Sequence, residues 1–251
     1  MIIQITGILS LIVQIITGLI DGYVLTFEVT PEMRVLYQLL LMEFTVQVIE
    51  GMFYIWMLKQ FTVSSNHSNI TKYRYWDWVF TTPTMLITLS IYLKYKSDLE
   101  VAKKKPETLP NYIKQYFKPL LTVVIMNSLM LLFGYLGETG VLSIGLSTVL
   151  GFIPFFIMFY IIYQTFVIYI PEAKNIFLYF VCVWGLYGIA ALMPYNIKNA
   201  SYNILDLFAK NFFGLFLAYT IYTKLKSNTN KNITNITNIN NKNQIPIDKS
   251  L

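Results

Sequence analysis

The sequence has one cysteine, Cys182, and one histidine, His67, in 251 residues. So few sulfur and imidazole groups exclude a disulfide framework and any Cys/His metal centre. Charge is also scarce. Asp, Glu, Lys and Arg make up 13% of the chain, about half of what an ordinary soluble domain carries. The first residues lack a basic stretch and a small-residue cleavage site, so the opening apolar block reads as a retained helix and not a signal peptide.

Apolar residues are abundant, at 55% of the chain with a mean hydropathy of +0.53. They fall in blocks near the ~20 residues that an α-helix needs to cross a ~30 Å hydrocarbon core. Seven blocks are expected, over residues 2–25, 33–57, 75–93, 120–136, 141–168, 176–193 and 202–225. The fold class is therefore all-α, a seven-transmembrane-helix bundle in a lipid bilayer.

Charge between the blocks sets the orientation, since Lys and Arg of short loops stay on the cytoplasmic side. The third connection holds Lys94, Lys96, Lys103, Lys104, Lys105, Lys114 and Lys118, and the end of the chain adds Lys224, Lys226, Lys231 and Lys242. The C-terminus is then cytoplasmic and the N-terminus outside. The formal charge of +6 is thus a topology signal and does not call for a nucleic-acid partner. Residues 1–226 form the membrane domain, and residues 227–251, rich in Asn, Ile, Thr and Lys, are expected to be a disordered tail. Asn69, Asn232 and Asn235 head N-x-T sequons, of which only Asn69 falls in a loop expected outside.

Ionisable residues inside apolar spans cost roughly 2.5–3.5 kcal/mol each on the insertion scale, so each asks for a partner and a role. Lys210 lies inside the last block, too deep to snorkel, with Asp206 one turn earlier on the same face. An amine so placed suits either a structural ion pair or a Schiff base with an aldehyde. In the third block Asp77, Thr81 and Thr84 share a face with Arg74, and Pro83 interrupts the backbone ladder there, a defect that Thr hydroxyls can cover. In the second block Glu43, Gln47, Glu50 and Tyr54 recur at helical spacing and line one face with polar groups.

Together these residues resemble the microbial rhodopsins. The third block reads R-Y-W-D-W-V-F-T-T-P from Arg74, the last reads D-L-F-A-K-N-F-F-G-L from Asp206, and Leu129 to Glu138 is similar to the fourth helix of proteorhodopsins. The Asn, Ile and Lys bias is most similar to the rhodopsins of giant viruses. The resemblance implies all-trans retinal bound as a protonated Schiff base on Lys210, with Asp77 and Asp206 as counterions and Arg74 below them. It implies that Trp78, Thr82, Met85, Met158, Trp184 and Tyr187 touch the chromophore and that Tyr54 bonds Asp206. Met85 sits where an apolar residue goes with green absorption. The role implied is transport, not an enzymatic reaction, with protons or other small cations carried, no metal centre, and assembly into homo-oligomers.

Three departures bear on mechanism. Thr88 stands where pumps of the family carry a proton-donor carboxylate, so the triad reads Asp77, Thr81, Thr88. Lys198 lies near the position of a proton-release glutamate, and Gly188 replaces a sixth-helix proline. The family's counterion histidine is also missing, because His67 falls in the second loop. Aligning the second block on Tyr54 puts Glu43 opposite Thr88, as a candidate donor, and Glu50 where channelrhodopsins carry a gate glutamate. An outward proton pump with Asp77 as acceptor and Thr81 beside it is the first expectation. A light-gated cation channel using Glu43 and Glu50 is the second, and a photosensory receptor the third.

Overall fold

In a computed structural model the backbone is described for residues 1–63, 70–168 and 170–243, and side chains for those residues other than 62–63, 172 and 228–243. His67 and Asn69 lie outside the described residues. Helices α1 (Ile2–Val24), α2 (Arg34–Val63) and α3 (Ile70–Glu100) are followed by a short α4 (Leu109–Gln115). Helices α5 (Phe117–Glu138), α6 (Ile144–Ile162), α7 (Lys174–Ala191), α8 (Tyr195–Asp206) and α9 (Phe212–Asn243) complete the chain.

Neighbours in sequence pack side by side from α1 to α8, with α3 meeting α5 directly, and the ring closes where α8 and α9 pack against α1. No strand occurs among the described residues. A π-helical turn, Leu207–Asn211, joins α8 to α9 into one rod and carries Lys210. Such a turn widens the helix by one residue and is common at functional sites.

Six helical segments are long and apolar enough to cross a membrane. The seventh, α3, is 31 residues long, about 46 Å at 1.5 Å per residue. Its charged residues, among them Lys72, Arg74, Asp77 and Lys94, lower its hydropathy without shortening it. The chain is an integral, multi-pass membrane protein.

The last rod begins at Tyr195, seven residues before the start expected from hydropathy, because Lys198, Asn199 and Asn203 dilute the apolar signal. Its backbone stays helical to Asn243, through most of the segment expected to be irregular.

Helix ends follow local chemistry. Ser143 caps α6 by accepting from the Leu146 amide at 3.4 Å, and Gly140 takes φ +77° in the turn after α5, a conformation open to a residue without Cβ. In α3 the hydroxyls of Thr81, Thr82 and Thr84 bond the carbonyls of Asp77, Trp78 and Phe80. They flank the Val79 carbonyl that Pro83 frees and do not cover it.

α1 is amphipathic in reverse. Ile5, Ile8, Ile12, Ile15, Leu19 and Ile20 are exposed on the outer face, while Ser10, Gln14, Thr17 and Asp21 are buried. Lipid rewards the apolar face, so the polar one turns to the bundle.

Candidate functional site

Lys210 is 1% exposed at the centre of the ring, reached by side chains from three helices. Its Nζ donates to Asp77 Oδ2, lies 3.6 Å from Glu50 Oε1, and lies 3.9 Å from Asp206 Oδ1 one turn away. Three carboxylates thus surround one amine. Among the described residues Glu50 has no hydrogen-bond partner on either oxygen and Asp77 Oδ1 has none.

Asp206 is held more tightly. Tyr54 donates to its Oδ2 at 2.7 Å and Tyr187 to its Oδ1 at 2.6 Å, while Arg74 Nη1 stands 3.4 Å from Oδ2. Arg74 is fully buried, and its remaining donors go to Asn199 and Asn203. Asn203 in turn donates to Thr6 and to the Ile3 carbonyl, and Ser10 donates to the Asn203 carbonyl at 3.2 Å. This network ties α1, α2, α3 and α8 together on one side of Lys210. Charged hydrogen bonds such as these are the stronger ones, and their mutual satisfaction fixes the geometry.

On the other side of Lys210 the polar groups are sparser and less satisfied. The Thr88 hydroxyl donates to Glu43 Oε1, and Gln47 Nε2 donates to Asp21 Oδ2 at 2.7 Å. Beyond them Leu36, Leu39, Leu40, Leu89, Leu93 and Leu217 are fully buried and close that end with apolar packing. Thr84 does not join Asp77 inside: it is part-exposed, and its hydroxyl bonds its own helix.

An apolar cavity ends at Lys210, the kind of site in which small apolar ligands are held. Trp78, Thr82, Met85, Trp184 and Tyr187 line it, as do Phe152 and Phe155 of α6. Asn127 donates to Thr82 at 2.8 Å behind the wall. Met158 is buried in the core one layer back, and Tyr54 serves Asp206 instead. An aromatic-walled cavity with one amine in its lining suits an apolar aldehyde, and the Glu50 and Asp77 oxygens beside the amine suit a cationic nitrogen there.

Sequence reasoning missed Phe152, Phe155 and Tyr202 on the cavity wall, and Ser10, Gln14, Thr17 and Asp21 on α1. The wall needs the tertiary fold to be seen. The α1 residues carried a signal, a spacing of four, three and four.

Seven packed helices with a buried lysine closing an apolar cavity define the retinal-type membrane proteins. The chain belongs to the bacteriorhodopsin-like proteins, whose family profile matches residues 2–224. Retinal binding and ion transport follow from that membership. The viral rhodopsin OLPVRII is similar over 90% of this chain and 99% of its own, at 27% identity and a TM-score of 0.75. Xanthorhodopsin, described as a light-driven ion pump with dual chromophore, is 19% identical over 90% of this chain and 95% of its own, at a TM-score of 0.68. Bromide-bound halorhodopsin from Halobacterium salinarum is 13% identical over 90% of this chain and 95% of its own, at 0.64. These last two share the fold. No curated protein sequence matches the chain.

Proposed function

We propose that the protein is a light-gated cation channel that holds retinal on Lys210, with its N-terminus outside and its C-terminus in the cytosol. One observation carries the choice of channel: a buried polar file on three facing helices. Ser10, Gln14, Thr17 and Asp21 of α1 meet Glu43, Gln47, Glu50 and Tyr54 of α2 and Asn203, Asp206 and Asn211 of the last rod, all at most 3% exposed. Many of their polar atoms lack a hydrogen-bond partner among the described residues, including both of Gln14, both of Asn211, and both of Glu50, whose Oε1 is ion-paired with Lys210. Unpaired buried polar groups are costly, each about 1–3 kcal/mol, so such a file is a place for water or ions.

The residue types favour ions. Gln14, Gln47 and Asn211 carry no titratable proton, whereas their carbonyl oxygens can replace the water around a cation, and rings of carboxylates select for positive charge. The leucines beyond Asp21 and Glu43 form the apolar constriction that keeps the dark state dry.

When bound, retinal supplies the light absorption and the isomerisation that redirect the nitrogen of Lys210. Asp77 then holds the position to accept the proton of that nitrogen, and Glu50 and Asp206 lose the cation that pairs with them. The negative field of the file rises as a result, and water and cations enter. Arg74, held by Asp206, Asn199 and Asn203, sets the charge at the outer entrance.

An outward proton pump is the second reading, favoured by Glu43 bonded to Thr88 on the cytoplasmic side of Lys210 and Asp77 bonded to Lys210 itself. Voltage-clamped photocurrent separates the two. A channel current reverses with the cation gradient; an outward current that persists at zero voltage and against the gradient would replace the channel by the pump.

A further inference from the structure

Where α1 crosses α2 beside α9, buried polar atoms gather with more acceptor oxygens than hydrogen bonds to fill them. Gln47 and Asp21 share one hydrogen bond of 2.7 Å. Asp21 Oδ1, Gln47 Oε1, Glu43 Oε2 and both polar atoms of Gln14 have no partner among the described residues. The four side chains are between 0 and 3% exposed. Neither Asp21 nor Glu43 has an ion-pair partner among the described residues, and the lysine of the core is engaged by Asp77, Glu50 and Asp206. A buried anion without a countercharge is among the costliest arrangements in a protein, so the cluster is neutralised either by protons or by a positive charge from outside the chain.

Glycines shape the space. Gln47 Oε1 stands 3.5 Å from where a Cβ of Gly18 would lie, and Gln14 Oε1 the same distance from that of Gly51. On α9 a Cβ at Gly214 would collide with both Asp21 and Gln47. Backbone without side chains therefore lets the carboxylate and the amide meet. The donors are oxygens, two from carboxylates and two from amides, which suits a hard cation. No set of three or more Asp, Glu, His or Cys suited to a metal ion is found among the described residues, so the charge offered matches a single positive one better than a divalent ion.

We propose that Asp21 and Gln47, with Gln14 and Glu43 alongside, form a binding site for one alkali-metal cation in the dark protein. The site rests on the conduction reading, as the place where a conducted ion waits beneath the apolar constriction. Asp21 supplies the charge, Gln47 positions its carboxylate, and Gln14 faces the ion's path toward Glu50.

The test uses the full retinal-loaded chain in detergent micelles, in the dark. Thermal bleaching of the visible band is followed in sodium chloride and in N-methylglucamine chloride of equal ionic strength, beside equilibrium binding of radiolabelled sodium. A ligand that binds only the folded state raises the transition temperature in a saturable way. Saturable stabilisation by sodium and one bound sodium per chain are expected, with both lost in Asp21→Asn and in Gly214→Ala while the visible band remains. If Asp21→Asn forms no pigment, Gln47→Leu gives the same reading.

A wild-type chain indifferent to sodium overturns the site, as when protons alone neutralise the two carboxyls. Full sodium response in Asp21→Asn overturns it too. Sodium binding in the dark without any reversing photocurrent keeps the site and removes conduction, whereas reversing photocurrent without sodium binding removes the site alone.

Discussion

Glu43 on α2 and Thr88 on α3, 45 residues apart in sequence, are joined by a hydrogen bond between two fully buried side chains. The family resemblance puts Thr88 where pumps carry a carboxylate, and the hydrogen bond sets the acid of Glu43 on the neighbouring helix beside it. Glu43→Gln is expected to lower photocurrent strongly under the channel reading and to slow the late step of the photocycle under the pump reading. Flash spectroscopy at acid and neutral pH together with current recording checks this, and a late step unchanged at both rules Glu43 out as donor. Thr88→Ala removes one bond from a buried acceptor and should cost about 1–3 kcal/mol of stability.

Asp77 bonds Lys210 directly, whereas Asp206 is occupied by Tyr54, Tyr187 and Arg74. The two carboxylates are therefore unequal, and the free one is the better acceptor. Asp77→Asn is expected to shift absorption to the red, since the cation on the chromophore loses its nearest countercharge, and to abolish proton transfer to this position. Absorption spectra and the disappearance of the deprotonated photointermediate are the measurements. Asp206→Asn should also disturb Arg74 and reduce pigment yield.

Lys210→Ala should give a colourless protein in the presence of all-trans retinal, because no other lysine among the described residues lines the cavity. Met85, fully buried on the cavity wall, sets the expectation of green absorption. Met85→Gln should move the band toward the blue. Both are read from spectra of the purified protein, and colour retained without the Lys210 amine would remove the assignment of the attachment site.

The bundle was legible because hydropathy averages over ~20 residues, and six spans stand out on that average. The same averaging hid the rest. The start of the last rod was placed late because Lys198, Asn199 and Asn203 are polar, yet all three are buried and the two asparagines hold Arg74. Ser10, Gln14, Thr17 and Asp21 disappeared in the same way among the isoleucines of α1, although their spacing alone marks one face. Lys210, Asp77, Glu43 and Glu50 were visible because an isolated charge in an apolar run is conspicuous. Of the cavity wall, Trp78, Thr82, Met85, Trp184 and Tyr187 were expected from the family resemblance, whereas Phe152 was not, since it meets Gly188 only when α6 and α7 pack.

That packing gives a fourth expectation. A Cβ on Gly188 would lie 2.5 Å from Phe152 Cζ and 2.8 Å from Cε2, closer than real carbons approach. Any side chain at this position would displace the ring, and the glycine leaves room for Phe152 to reach the cavity. Gly188→Ala should cost about 1–3 kcal/mol through overpacking and alter the absorption band as Phe152 shifts. Gly188→Ala with Phe152→Leu should recover most of the stability, as measured by the half-life of the pigment at raised temperature.

Lys198 and Glu138 form an ion pair of 2.7 Å between α8 and the end of α5, with side chains 11% and 8% exposed. The sequence offered no link between them, and Lys198 there reads as a structural residue, not as part of a proton exit. Breaking a buried pair by removing one partner leaves the other charge uncompensated, which costs roughly 3–5 kcal/mol, while replacing both with apolar groups is often neutral. Lys198→Met alone should therefore destabilise the pigment strongly, and Lys198→Met with Glu138→Leu should not. Unfolding in mixed micelles measures the difference. If the double variant is as unstable as the single one, or if Lys198→Met is stable but slows proton release, the residue belongs to transport after all.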